Sequence, residues 1–425
     1  MKDRIKEFTK TLSIIIVTAL ITFIITTSVL IMNKGKLFGT KLITGEGISV
    51  TSLDAEEKNY TFEDLELILD QFKGLIKEQY IGEEINENDM IQGAIKGYVE
   101  GLGDPYSVYF TPKEMKSFME ESNGNFVGIG VYLQLDEKEN KIRVIGVMKE
   151  SPAEEVGIKE GDYIVKVDDV EYSGDKMDEA VTIMKGEEGK KVKVSVLRDG
   201  ELIDFDIIRR RVEIQHVAAK RLDNYQNIGY IAVDEFGSVT LNQFKEEMAK
   251  IMAEGNIEGL IIDLRSNGGG ILNQATDLAD LFVEKDKVLL YTKDNKPEEE
   301  ITKAKVDPIY SMPVVVLVNE YTASASEILT AALKESYGAE VVGMKTYGKG
   351  VIQTLYSLSD GSGIKITTAE YFTPEHNKIN KLGITPDYEV DLTKDENGNY
   401  ETGEEKDAQL LKAIEVLEEK IPSKE

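Results

Sequence analysis

The 425-residue sequence has no cysteine and only two histidines, His216 and His376. The first absence excludes disulfides, thiolate nucleophiles, cysteine-ligated metals and lipid anchoring on cysteine. The second leaves no His-rich metal site. A Ser-His-Asp triad would have to draw on one of those two residues. A general base is therefore sought among lysines and carboxylates. Positive charge is also short: 50 Lys and Arg stand against 78 Asp and Glu, a formal net charge of −28. Phosphate binding needs a basic surface, so this balance argues against a nucleic-acid partner.

The length suggests two or three domains and is ample for a packed core. Residues 11–33 carry no charge, and their apolar part, residues 12–32, follows the basic Lys2, Arg4, Lys6 and Lys10. As a helix it would reach roughly 30 Å, enough to cross a bilayer. It is longer than a usual signal-peptide apolar region, and no A-x-A site follows it. The expectation for residues 1–33 is a cytoplasmic stub and an uncleaved single-span anchor, with the body outside the cell membrane. Lys34, Lys36 and Lys41 nearly balance the flanks, so the orientation rests on a small charge bias. A cleaved signal would lead to the same destination.

Residues 34–59 lack a sustained period and read as a linker. Residues 60–118 return to helical spacing, through Leu65, Ile68, Leu69, Phe72 and Leu75, then Met90, Ile91, Ile95 and Val99. Thr61-x-x-Asp64 and Asn88 fit N-terminal caps, Gly103-Asp104-Pro105-Tyr106 is a turn, and Thr111-Pro112-x-Glu114 opens a third helix. These helices cannot build a large core alone, and are expected to pack on the main body or on a second copy. Residues 119–212 show short strand-like runs. Residues 213–392 alternate strands and helices, an α/β pattern. Residues 393–425 form a tail with a helix carrying Leu410, Leu411, Ile414 and Leu417. The fold class expected is multi-domain α+β: membrane helix, helical region, small β domain, α/β core.

Three stretches of the core could carry chemistry. The apolar run 313–318 reads as a buried strand, and after a polar turn a helix pattern begins near Ser324 and Ser326. A hydroxyl there faces N–H groups and the positive end of a helix dipole. Ser324-x-x-Glu327 is also a capping box, which only starts a helix. The second stretch is Asn267-Gly268-Gly269-Gly270, between a strand and a helix. It could hold phosphate, form an oxyanion hole, or be a tight turn needing glycine. It lacks the spacing of a nucleotide motif. The third is Gly348-Lys349-Gly350-Val351-Ile352-Gln353. If buried, Lys349 would favour its neutral amine and act as a base, with the Gln353 amide to orient it. If solvated, it is an ordinary loop lysine.

Phe126-Val127-Gly128-Ile129-Gly130, the segment Ser151-Pro152-Ala153 through Gly157-Ile158 to Gly161-Asp162, and Ile164-x-x-Val167 resemble a bacterial PDZ domain. That resemblance implies peptide binding by strand addition, with loop N–H groups of Val127, Gly128, Ile129 and Gly130 around a terminal carboxylate. Together with the three core stretches, Gly103 to Ser107, Asp263-Leu264-Arg265, Tyr371-Phe372-Thr373-Pro374 and Gly383-Ile384-x-Pro386-Asp387, the chain resembles the C-terminal processing, or tail-specific, proteases over nearly its whole length. The resemblance implies a Ser/Lys dyad assisted by Gln. By matching positions, Ser324 is the nucleophile, Lys349 the base and Gln353 its orienter. Ala325 and Gly269 would supply the oxyanion hole. The choice of Ser324 over Ser326 rests on this match.

The resemblance also implies protein or peptide substrates with exposed C-termini, no metal or organic cofactor, and a homodimer. Relatives often carry Asn-Pro-Gly-Gly at 267–270, and an Arg where Lys185 stands here. The second departure puts in doubt any coupling between the PDZ domain and the active site, because lysine lacks the planar fork. An inactive PDZ scaffold would require erosion of the dyad, and all three of its residues are present. A penicillin-interacting acyl transferase would need a K-T-G triplet, which is absent.

Overall fold

The computed structural model describes residues 59–82, 84–122, 124–394 and 400–421. Among them no helix is long and apolar enough to cross a membrane. The expected anchor lies outside the described residues.

Helix Phe62–Gln79 belongs to a unit of its own. Its start is the expected capping box. Asp64 N–H donates to Thr61 Oγ1 at 3.2 Å, and Thr61 N–H to Asp64 Oδ2 at 3.0 Å. The next helix, Glu87–Glu100, starts before Asn88. The expected cap therefore sits in its first turn, where Glu87 and Asp89 complement the helix dipole. Helix Pro112–Ser122 opens as expected, with Thr111 N–H donating to Glu114 Oε2 at 2.8 Å.

The PDZ-like domain is a sheet in the order 131–136, 141–147, 163–167, 191–198, 201–208. Its core is made by alternate residues, Ile142 and Val144, then Val192, Val194 and Val196, closed by Ala180 and Met184 of helix Met177–Met184. A separate two-stranded ribbon, Asn125–Gly128 with Arg210–Glu213, ties both ends of this domain together. Sequence spacing missed both of those strands.

The core domain is built on a six-stranded sheet in the order 217–221, 228–233, 259–263, 314–318, 340–343, 388–389. The first pair is antiparallel and the rest are parallel. Period-two alternation divides its residues between two cores. Val314, Val316 and Val318 face Phe244, Leu278 and Leu329. Val315 and Leu317 face Leu410, Ile414 and Leu417 of the last helix, Ala408–Lys420. That helix starts on Asp407, whose carboxylate accepts from Gln409 and Leu410 N–H. Gly259 is small for a reason: a Cβ there would meet Leu417 Cγ at 2.8 Å. Leu417 is fully buried, so Leu417→Ala is expected to cost about 2–5 kcal/mol in denaturant unfolding.

A second sheet covers the carboxyl ends of these strands. The long strand Gly363–Phe372 pairs with Val108–Phe110, with Val288–Lys293 and with Val351–Ser357. It brings the start of the described core unit onto the region where the three candidate stretches lie.

Candidate active site

The three stretches converge because they leave three neighbouring parallel strands at the same end. Strand Gly259–Asp263 leads to the glycine turn, Val314–Val318 to Ser324, and Glu340–Gly343 to Lys349. Carboxyl ends of parallel strands are where open α/β sheets bind ligands. Hydrogen bonds lock the turns to one another. Ala323 N–H donates to Asn267 O at 3.0 Å, and Tyr347 N–H to Thr322 O at 3.0 Å. Thr322 Oγ1 donates to Leu264 O at 2.8 Å.

Ser324 precedes helix Ala325–Ala331 with φ 56° and ψ −120°. An ordinary N-cap lies in the extended region. A side-chain-bearing residue held in so sparsely populated a region, at positive φ, costs about 1–3 kcal/mol and persists only when its surroundings impose it. They do so here. Ser324 N–H donates to Glu327 Oε2 at 2.9 Å, and Tyr371 Oη to Ser324 O at 3.1 Å. The helix begins at Ala325, one residue earlier than the pattern suggests, and changes to a π-helix at Ala332–Tyr337. Ala325 N–H has no acceptor among the described residues.

Gly269 has φ +105°, and a Cβ there would lie 2.7 Å from Ser324 Cβ and 2.9 Å from Ala325 N. Glycine is therefore needed at this position for close approach. The Gly269 N–H, expected in the oxyanion hole, donates instead to Asn267 Oδ1 at 2.8 Å. Asn267 Nδ2 in turn donates to Val233 O at 2.7 Å. Gly270 lines the cleft beside Ser324.

Ser324, Ala325, Lys349 and Gln353 all line one cleft of about 430 Å³. Its apolar walls include Phe118, Met119, Phe236, Leu272, Ile328 and Leu355. Lys349 is half-buried. Burial, then the like charge of Lys365, push it below the usual lysine value, against the pull of Glu327 and Asp104. Its Nζ lies 4.9 Å from the centre of the Tyr106 ring. No hydrogen bond joins it to Ser324 Oγ in this arrangement. Gln353 Nε2 donates weakly, to Thr367 Oγ1 at 3.3 Å and Val351 O at 3.4 Å.

Glu327 is the residue that sequence reasoning undervalued. It is fully buried and accepts four hydrogen bonds: from Ser324 N–H at 2.9 Å, Thr346 Oγ1 at 2.5 Å, Gly348 N–H at 2.8 Å and Lys349 N–H at 2.9 Å. One carboxylate thus joins the backbone of Ser324 to that of Lys349. Burial nonetheless pushes its carboxyl above the usual range. Tyr371 Oη donates to both Ser324 O and Lys349 O. Tyr106 was visible only as part of a motif without a role. Its turn is fixed by Asp104, which accepts from Tyr106 N–H at 3.2 Å and from Ser107 Oγ at 2.5 Å.

Neither histidine lies on this cleft. His216 is buried near Gly124 and Gly237, with burial pushing it below its usual value. His376 stacks on Phe372 and meets Glu299 at 2.8 Å.

In the PDZ-like loop, Ala153 N–H donates to Ile129 O at 2.8 Å and Met148 N–H to Gly130 O at 3.0 Å. The N–H groups of Ile129 and Gly130 have no acceptor among the described residues. Val127 is half-buried and its carbonyl accepts from Gly186 N–H at 3.2 Å, while Gly128 packs against the Phe126 ring. Strand Val131–Asp136 pairs on one side only, with Lys141–Val147. Lys185 Nζ lies 5.2 Å from the centre of the Phe126 ring.

Three family models match the chain: peptidase family S41 over residues 227–390, PDZ domain over 127–208, and activating protease CtpB N-terminal domain over 29–114. The carboxy-terminal processing protease CtpA of Bacillus subtilis (strain 168) is 35% identical over 354 residues, covering 83% of this chain and 74% of that protein. A probable CtpA-like serine protease of Staphylococcus haemolyticus (strain JCSC1435) is 36% identical, over 72% of this chain and 61% of that protein. A solved photosystem II D1 C-terminal processing protease is 30% identical, covers 77% of this chain and 89% of its own, and superposes with a TM-score of 0.45. The identity to a named processing protease runs through both the PDZ domain and the strand ends that gather Ser324 and Lys349, so this chain belongs to the C-terminal processing proteases of peptidase family S41, serine peptidases with a PDZ domain.

Proposed function

We propose that the protein is a membrane-anchored endopeptidase that cleaves extracytoplasmic proteins chosen by their C-termini, with Ser324 and Lys349 as its dyad. The observation that carries the dyad is a shared cleft in which a strained serine and a desolvated lysine are joined through one buried carboxylate. Lys349 in its amine form swings from the Tyr106 ring and takes the proton of Ser324 Oγ as that oxygen bonds to the scissile carbonyl carbon. The carbonyl oxygen becomes an oxyanion, received by the N–H of Ala325 and of Gly270. The carbon–nitrogen bond then breaks, and the Lys349 ammonium returns its proton to the leaving amine. Water attacks the acyl-enzyme, Lys349 takes the water proton, and the ester bond to Oγ breaks as Oγ regains a proton. Gln353 orients the lysine. The apolar walls suit flexible apolar tails, and every step is met by the chain's own groups.

The PDZ domain holds the substrate's end. Its free strand edge accepts an added strand, and the unpaired N–H groups of Ile129 and Gly130 receive the carboxylate. The anchor at residues 12–32 places the body outside the cell, and a second copy of the chain is the expected partner.

The test uses the full chain with an unfolded protein bearing an apolar C-terminus. A free carboxylate is expected to be preferred over the amide by about 10- to 100-fold in kcat/KM, the worth of a charge-assisted hydrogen bond. Equal cleavage of acid and amide would refute selection by the PDZ loop and leave the dyad standing.

A further inference from the structure

The catalytic cleft holds two lysines, and the dyad uses one. Lys365, on strand Gly363–Phe372, lines the same cleft as Ser324, Lys349 and Gln353. In register it stands opposite Leu355, two residues beyond Gln353 on the neighbouring strand. Leu355 and Gln353 thus share a face of the sheet, and both line the cleft. On its other side Lys365 stands opposite Val108. Its Nζ lies 5.5 Å from the centre of the Phe110 ring and 5.2 Å from that of Phe118, two rings stacked at 4.9 Å. Among the described residues no carboxylate pairs with it. Other lysines reach out to a surface carboxylate, as Lys191, Lys193 and Lys305 do. Aromatic faces hold an ammonium without cancelling its charge. A cation so held, in a low-dielectric cleft, makes a second positive charge nearby costly.

We propose that Lys365 is a positioning residue for the dyad: its ammonium, fixed over Phe110 and Phe118, repels a positive charge on Lys349 and so keeps that amine ready for the Ser324 proton. The inference rests on the dyad reading above. Lys349 is faced by Glu327 from the nucleophile helix, by Asp104 and Tyr106 from the turn before Val108–Phe110, and by Tyr371 and Lys365 from the long strand; Glu235 also lines the cleft. Glu327 and Asp104 favour its charged form. Burial comes first among the forces opposing them, and Lys365 is the one cation that adds to it. Burial lowers Lys365 as well. Lys365 has two rings beneath it and Lys349 has one.

The test is the pH dependence of kcat/KM for the full chain, with Lys365→Met and Lys365→Arg beside the wild type. A dyad base works unprotonated, so activity rises with pH through the Lys349 titration. Lys365→Met is expected to move the midpoint of that rise upward by about one unit, an about tenfold loss below it, with the wild-type plateau recovered above it. Lys365→Arg keeps the charge and the midpoint. A fraction of misfolded variant lowers the plateau and leaves the midpoint in place. An unmoved midpoint in Lys365→Met overturns the proposal, whether activity is unchanged or falls equally at every pH. A uniform loss confined to KM would mark Lys365 as a binder of acidic substrate groups. A shift of the same size in Lys365→Arg would assign the effect to shape and overturn the proposal too. Lys349→Met is run in parallel: if it keeps both activity and the rise with pH, the dyad itself falls, whatever Lys365 does.

Discussion

Replacing Ser324 by alanine is expected to lower kcat/KM by about 10⁴- to 10⁶-fold, the scale on which serine peptidases lose activity with their nucleophile. Lys349→Ala should cost nearly as much. The double variant should cost little more than either single one, because two residues that form one proton-transfer unit are strongly non-additive. Gln353→Ala should fall between, at about 10- to 100-fold, since in the proposed dyad the amide orients the base and is not itself the base. Ser326 makes a sharp internal control. It is two residues from Ser324 but fully buried, and its hydroxyl has no partner among the described residues. Ser326→Ala should therefore leave cleavage within about threefold, a surface-like perturbation of under 1 kcal/mol. A fluorophosphonate probe reads the same assignment directly, labelling the wild type and Ser326→Ala and sparing Ser324→Ala. Retained labelling of Ser324→Ala would move the nucleophile elsewhere.

How much of this was legible in the sequence depends on the kind of force involved. The run 313–318 announced a buried strand because every residue of Val314–Val318 is packed on both faces of a parallel sheet. The glycine at 269 announced a tight turn because it has positive φ and a crowded Cβ position. The short strands Val108–Phe110 and Arg210–Glu213 carried no such mark. They exist because a distant partner strand offers them hydrogen bonds, which no local pattern records. The site follows the same division. Ser324, Lys349 and Gln353 came from motif matching, and the structure adds what brings them to one cleft. Gly269 was matched for its N–H and is required for its missing side chain. Glu327 looked like a helix cap, and its carboxylate does meet the N-cap N–H, but three of its four donors come from elsewhere or serve the lysine turn. Spacing within a helix shows only the first of these. Lys365 stood out only in the spacing Ser362-x-x-Lys365 and gave no signal of a place in this cleft, since a lysine alternating with apolar residues on a strand is expected to point to solvent.

Glu327→Gln should be the most damaging substitution that leaves every catalytic side chain in place. Glutamine has the shape of glutamate, and the argument turns on counting donors. Both carboxylate oxygens are saturated by donors, two each: Oε1 by Thr346 Oγ1 and Gly348 N–H, Oε2 by Ser324 and Lys349 N–H. An amide keeps one oxygen and turns the other into an NH₂ group. Whichever way it is flipped, that NH₂ faces at least one backbone N–H with no lone pair to offer. If it replaces Oε2, the N–H groups of both dyad residues lose their acceptor. If it replaces Oε1, Gly348 N–H loses its acceptor and the Thr346 hydroxyl must turn to accept instead of donate. The site is buried, so water does not compensate, and each unmet donor costs about 1–3 kcal/mol. Expected results are a loss of about 2–4 kcal/mol in denaturant unfolding and a fall in kcat/KM of at least about 100-fold from mispositioned reactants. Glu327→Asp keeps the charge but withdraws the oxygens by one methylene. It should recover part of the stability and little of the activity. The two readouts together separate the roles, since a residue that only caps the helix would, on Glu327→Gln, lower stability by about 1 kcal/mol and leave kcat/KM of the folded fraction unchanged.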